Sequence, residues 1–241
     1  MHLLALLFVT LLSFSAFAQD AKPTENFLTH ESEASLINAG GNSELQSYNA
    51  KTSNKYKFTR DTMGFGGHYT YGEAANTLSA RNWDANAKYE WGLTDRLSLI
   101  LGETVEGNRF QDVKARYNSD LGLKYQLTKT DKNDWFFEGA YRYTVEDRYT
   151  ADNLYQHKSR TYTEWNHKQS ETLQWKLWLE YLPNFSDGHD WMMTGEASMT
   201  TILTSIFSLK VAYKGLYDNL PAQPGLKNYD YITTTSLVAK F

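Results

Sequence analysis

The chain contains no cysteine. That excludes disulfides, thiolate nucleophiles and cysteine metal centres, and it suits export. It also lacks any long apolar run after its first 18 residues, so no later segment qualifies as a membrane-spanning helix. The phosphate loop, the G-x-S-x-G elbow, H-E-x-x-H and G-x-G-x-x-G are all missing. Neither charge sign dominates: the net charge is -4, which argues against a generic nucleic-acid binder. A mean hydropathy of -0.58 reads as soluble on its face. What is present argues otherwise, because aromatic residues make up 15% of the chain, with 17 Tyr and 7 Trp.

Residues 1–18, MHLLALLFVTLLSFSAFA, form an apolar run ending in the A-x-A pattern Ala16-Phe17-Ala18. The run is too short for a membrane anchor, so it reads as a signal peptide, leaving 19–241 as one mature domain. The far terminus alternates strictly. Tyr229, Tyr231, Thr233, Thr235, Leu237, Ala239 and Phe241 share one face, opposite Asp230, Thr234, Ser236 and Lys240. A period of two is a strand. After an export signal, this is the look of the last strand of a bacterial outer-membrane barrel, with Phe241 as the residue read by the assembly machinery.

The same alternation predicts twelve strands, near 27–37, 44–58, 62–74, 82–91, 97–108, 114–127, 135–148, 155–166, 171–182, 190–203, 206–218 and 228–241. An even count fits an antiparallel up-and-down transmembrane β-barrel, whose alternating faces hide its membrane signal from window averages. Connections at 92–96, 166–170 and 204–205 read as tight, and those at 75–81, 149–153 and 219–227 as open and polar. The outward faces are apolar and aromatic, as in Trp83, Ala85, Ala87, Tyr89 and Trp91, or Leu173, Trp175, Leu177, Leu179 and Tyr181. A soluble β-sandwich is the alternative, with these faces packed into a core. Glu103 breaks the outward pattern, which calls for a rim position or a bulge.

The inward positions carry both charge signs. Folding the sixth connection about Asp131 places Lys124 across from Glu138, Asp120 from Arg142 and Arg116 from Glu146. A fold about Ser205 places Glu196 across from Lys214. Each such cross-strand pair contributes roughly 0.2–1 kcal/mol. These eight residues are the predicted lumen lining. Twelve strands lie between small filled barrels and open porins, so size does not decide between a pore and an occluded barrel. The mix of signs argues against a strongly ion-selective channel.

Chemistry is sparse. Gly64, Gly66 and Gly67 lie within a strand pattern and read as close-packing positions, and His68 as a lumen residue. Asp187, His189 and Asp190 in SDGHD are the richest polar cluster, read as a surface turn ahead of a hydrolytic or cation site. His157 and His167 form no pair. No Ser–His–Asn arrangement suited to a membrane-facing phospholipase stands out. The expectation is a non-enzyme without cofactor or metal.

Three stretches carry a resemblance. They are NAGGNSELQSYNAKTSNKY, then WDANAKYEWGLTDRLSLILGETVEGNRF continuing through YNSDLGLKYQL and FFEGAYRYTVEDRY, and finally LKVAYKGLYDNLP with YDYITTTSLVAKF. Together they resemble the salt-induced outer membrane protein family, catalogued as domain of unknown function 481. The resemblance implies an integral outer-membrane β-barrel in a Gram-negative bacterium, linked by name to salt or envelope stress, without established catalytic residues. The combined expectation is a small passive channel for ions or small solutes. The alternatives are an occluded structural barrel, one that binds partners through the loops at 149–157 and 219–227, or, least favoured, an outer-membrane hydrolase. The partners expected are outer-membrane lipids, lipopolysaccharide and the assembly machinery.

Overall fold

Twelve antiparallel strands close on themselves. They are β1 (Phe27–Ala39), β2 (Leu45–Lys57), β3 (Thr62–Ala74), β4 (Thr77–Gly92), β5 (Leu97–Asn108), β6 (Val113–Lys129), β7 (Asn133–Arg148), β8 (Leu154–Lys168), β9 (Leu173–Pro183), β10 (Trp191–Ile202), β11 (Phe207–Asp218) and β12 (Tyr229–Lys240). Each pairs with its sequence neighbours, and β1 pairs with β12 to complete the barrel. The computed structural model describes residues 27–39, 45–75, 77–221 and 227–240. The expected signal peptide, the turn expected at Gly41-Asn42-Ser43 and Phe241 lie outside the described residues.

The two ends differ in their turns. At the end where β1 begins and β12 finishes, the connections are tight, and four of the five share one device. A hydroxyl takes up the amides that the turn leaves unpaired. Thr94 accepts from the amides of Arg96 and Leu97, Ser170 from Thr172 and Leu173, and Thr204 from Ile206 and Phe207. Thr130 does the same for Asn133. Ser and Thr stand at these positions because their side chains replace a backbone acceptor locally.

The opposite end carries the longer connections, and they brace one another. Between β5 and β6 a short 3₁₀ turn ends at Asp112, whose φ of 62° is one that Asp tolerates better than most residues. The Asp112 carboxylate accepts from Thr150 Oγ1 at 2.6 Å, which ties this turn to the β7–β8 connection. Strand β9 pairs with β8 only from Thr161 downward. Above that point residues 184–190 cover the open edge, with the Phe185 amide donating to the His157 carbonyl at 2.9 Å.

Burial is inverted relative to a soluble domain. Among the described residues, thirteen polar or charged residues are buried against five apolar ones, Ile100, Val113, Leu182, Ala212 and Val238. Large apolar side chains such as Trp91, Leu101, Leu121, Trp135 and Leu177 face outward and exposed. That is the arrangement of a barrel facing lipid, and it overturns the β-sandwich alternative. Two further expectations are corrected. Residues 77–81 belong to β4 rather than to an open loop, because β3 and β4 stay paired past a bulge at Gly72/Glu73. Glu103 sits mid-strand on the outward face with unbroken register to Ala87 and Ser119, so neither a rim nor a bulge explains it. Its carboxylate accepts from Ser119 Oγ at 2.6 Å.

Candidate functional site

The interior is built by register. Across β6 and β7, Lys124 stands opposite Glu138, Asp120 opposite Arg142 and Arg116 opposite Glu146, and Glu196 of β10 stands opposite Lys214 of β11. Two of these opposed pairs also touch. Arg142 grips Asp120 through Nε and Nη2, both at 2.7 Å, and Arg116 Nε donates to Glu146 at 2.6 Å. A bidentate guanidinium–carboxylate pair is among the stronger polar contacts available.

The other two choose different partners. Lys124 reaches two strands over to Glu90 at 2.8 Å. Glu138, fully buried, is held by Lys88 of β4 and by Arg160 of β8, the latter at 2.9 Å. Glu196 pairs with Lys210 at 3.2 Å, and Lys210 also reaches Glu33 of β1 at 3.0 Å. Lys214 instead lies over the ring of Trp178, 5.8 Å from its centroid. Long cationic side chains on tilted strands skip neighbours, so directly opposed charge does not dictate the ion pair.

Arg160 is the hub that the sequence reading missed. It pairs with Glu138, Glu180 and Asp120, joining β6, β7, β8 and β9. The outward face of β8, with His157, Ser159, Thr161 and Thr163, is too polar to show the usual alternation. The signal was there on the other face, in Lys158, Arg160 and Glu164. The lattice continues through Arg148 to Glu146 and Lys176 to Glu164. Beside it runs a row of inward rings, Phe136, Tyr162 and Trp178, with centroids 6.0 and 5.9 Å apart. Lys124 lies over the first and Arg160 over the second.

The opposite wall is different. The Lys51 side chain is 46% exposed, with Glu33 at 3.8 Å. Lys55, Asn86, Lys214 and Asp230 are exposed at inward positions. Among the described residues, neither Lys55 nor Lys214 has a carboxylate within 4.0 Å. Gly64 and Gly66 of β3 leave the inner surface between β2 and β4 without side chains. His68 faces the same space and meets Asp84 at 3.2 Å and Thr70 Oγ1 at 2.9 Å.

The polar cluster of the β9–β10 connection does not converge. His189 is almost fully exposed beside Asp187, while Asp190 turns away to accept from Asn184 and Gln156. Among the described residues, no group of three or more His, Cys, Asp or Glu is placed to hold a metal.

Inverted burial, closure and short turns at one end define a twelve-stranded antiparallel barrel of the outer-membrane kind. The family model described as "Protein of unknown function, DUF481" matches residues 32–241, and the chain belongs to that family. No curated protein matches it. Among solved structures, the NanC porin is similar at TM-score 0.51 and 10% identity, over 89% of this chain and 98% of that one. The KdgM porin in complex with disordered oligogalacturonate gives 0.49 and 10%, over 88% and 98%. The COG4313 outer membrane channel from Pseudomonas putida F1 gives 0.47 and 13%, over 94% and 97%. At these identities the likeness is one of fold.

Proposed function

We propose that the protein is a channel of the bacterial outer membrane, passing small polar or charged solutes beside the wall formed by β11, β12, β1, β2 and β3. The carrying observation is the contrast in interior exposure: Lys51 is 46% exposed, whereas Glu138 on the far wall is 0% exposed. Charged side chains inside a barrel stay accessible only next to water-filled space. The tight-turn end faces the periplasm in this reading, and the loop end faces outward with lipopolysaccharide around it. Assembly proceeds through the machinery that reads the C-terminal strand. A link to salt or envelope stress rests on the family resemblance alone.

A second reading, an occluded structural barrel, is favoured by the fully buried Glu138 and the lattice around it. Planar-bilayer recordings separate the two. The channel reading expects steady conductance from wild type and a clear shift of reversal potential toward cation preference in Lys51→Glu/Lys55→Glu. Arg142→Ala, in the packed lattice, should change the current less. Folded, inserted protein that is electrically silent would establish the occluded barrel.

A further inference from the structure

The outward face of the β1–β2 hairpin carries three polar side chains in a lipid-facing position. His30 Nδ1 lies 2.6 Å from Asn54 Oδ1, and His30 Nε2 lies 2.8 Å from Ser32 Oγ. His30 and Ser32 are two apart on one strand, and Asn54 is directly across from His30. With the ring proton on Nδ1, Asn54 accepts it and Nε2 is left to accept from the Ser32 hydroxyl. This is the relay of a nucleophile, a base and a group that orients the base.

We propose that Ser32, His30 and Asn54 form a lipid-facing serine esterase site acting on glycerophospholipid esters. Three observations beyond the relay support it. Lipid-facing polar groups are costly, and Ser32 stands directly across from the small Ala239 of β12. Small residues neighbour Ser32, namely Ala34, Ala50, Gly67 and Ala239, and Thr52 stands directly opposite with a second hydroxyl. Exposed Leu28, Leu36 and Phe65 frame the site with apolar surface for acyl chains. Tyr56 and Phe58, packed edge to face at 4.7 Å, mark the aromatic level just below. Ester carbonyls of a bilayer lie near such a girdle.

In the reaction, Ser32 Oγ attacks the ester carbonyl while His30 Nε2 takes the hydroxyl proton. The carbon–oxygen bond to glycerol breaks, and His30 returns the proton to the leaving oxygen, releasing a lysophospholipid. Water, deprotonated by His30, then attacks the acyl-serine. A fatty acid leaves and Ser32 recovers its proton. Asn54 is a positioning residue in this scheme.

The site uses the outer face, so the channel and the esterase fail separately. Two measurements on the full chain test it. In detergent, a fluorophosphonate probe should label Ser32, and labelling should fall at least ~10³-fold in His30→Ala. In vesicles of phosphatidylethanolamine and phosphatidylglycerol, the inserted protein should release fatty acid and lysophospholipid. Ser32→Ala should abolish that release while leaving conductance intact. Asn54→Leu should lower kcat on the order of 10²-fold with KM unchanged, and Asn54→Asp should restore most of it. Folded protein whose Ser32 labels no faster than in His30→Ala overturns the proposal. Labelling without lipid cleavage overturns the lipid substrate.

Discussion

The two walls of this barrel are made from the same ingredients and behave as opposites. Between β4 and β9, acids and bases alternate densely enough that every carboxylate of the lattice finds a cation, often on a strand two or three removed. Between β11 and β3, lysines outnumber the acids beside them, and glycines replace side chains. The first wall is a polar core in place of an apolar one. The second also pairs Glu31 and Glu33 with lysines, but leaves Lys55 and Lys214 exposed to the interior without a carboxylate within 4.0 Å among the described residues. Charge content alone therefore says little about a barrel interior. What matters is whether each charge is consumed by a partner.

The sharpest way to break this comparison is to remove the most buried carboxylate. Glu138→Gln keeps the shape and strands Lys88 and Arg160 without their shared acid. Losing one member of a buried pair costs about 3–5 kcal/mol. On the open wall, Lys51→Ala removes a half-exposed charge and costs roughly 0–1 kcal/mol. Urea unfolding of both variants in detergent or lipid gives the ratio. Equal losses would mean that the two walls are not energetically distinct.

Glycine gives the next contrast, at about 1–3 kcal/mol for an overpacked site. A Cβ added at Gly122 of β6 would run into the Gly139 carbonyl and into Ala140. At Gly64 on the open wall, the nearest atom to an added Cβ is the Asn54 carbonyl oxygen at 3.7 Å, an ordinary contact. Gly122→Ala should lower the unfolding midpoint, and Gly64→Ala should leave it within experimental error.

Much of this architecture was legible in the sequence, for a definable reason. A period of two, fixed by turns whose centres are marked by Asp131 and Ser205, sets both the face and the register of each hairpin. That is why Asp120 and Arg142 could be paired on paper. Partner choice was not legible, because strand tilt and side-chain reach decide it. Lys124 prefers Glu90, and Lys210 displaces Lys214 at Glu196. Arg160 was hidden by the polar outer face of its strand. His30, Ser32 and Asn54 were hidden differently. Once Glu31 and Glu33 are assigned inward, H-x-S must point outward, and the hairpin brings Asn54 opposite. Outward polar residues draw less scrutiny than inward charges, and a search for triads spaced along the chain passes over one assembled across a hairpin.

The smallest expected effect lies where the two walls meet. Lys214 projects from β11 toward the ring of Trp178 on β9, reaching from the open side to the aromatic row of the packed side. Its ammonium is exposed and has no carboxylate partner within 4.0 Å among the described residues. An exposed cation–π contact is worth roughly 0.5–1 kcal/mol, so Lys214→Met should barely move the unfolding midpoint. The same change removes one accessible positive charge from the interior. In a salt gradient it should shift the reversal potential slightly toward cation preference, in the direction of Lys51→Glu/Lys55→Glu and by less. High salt should shrink the shift, since screening reaches exposed interior charges first. A large stability loss without a change in reversal potential would place Lys214 in the packed wall and move the boundary between the two by a strand.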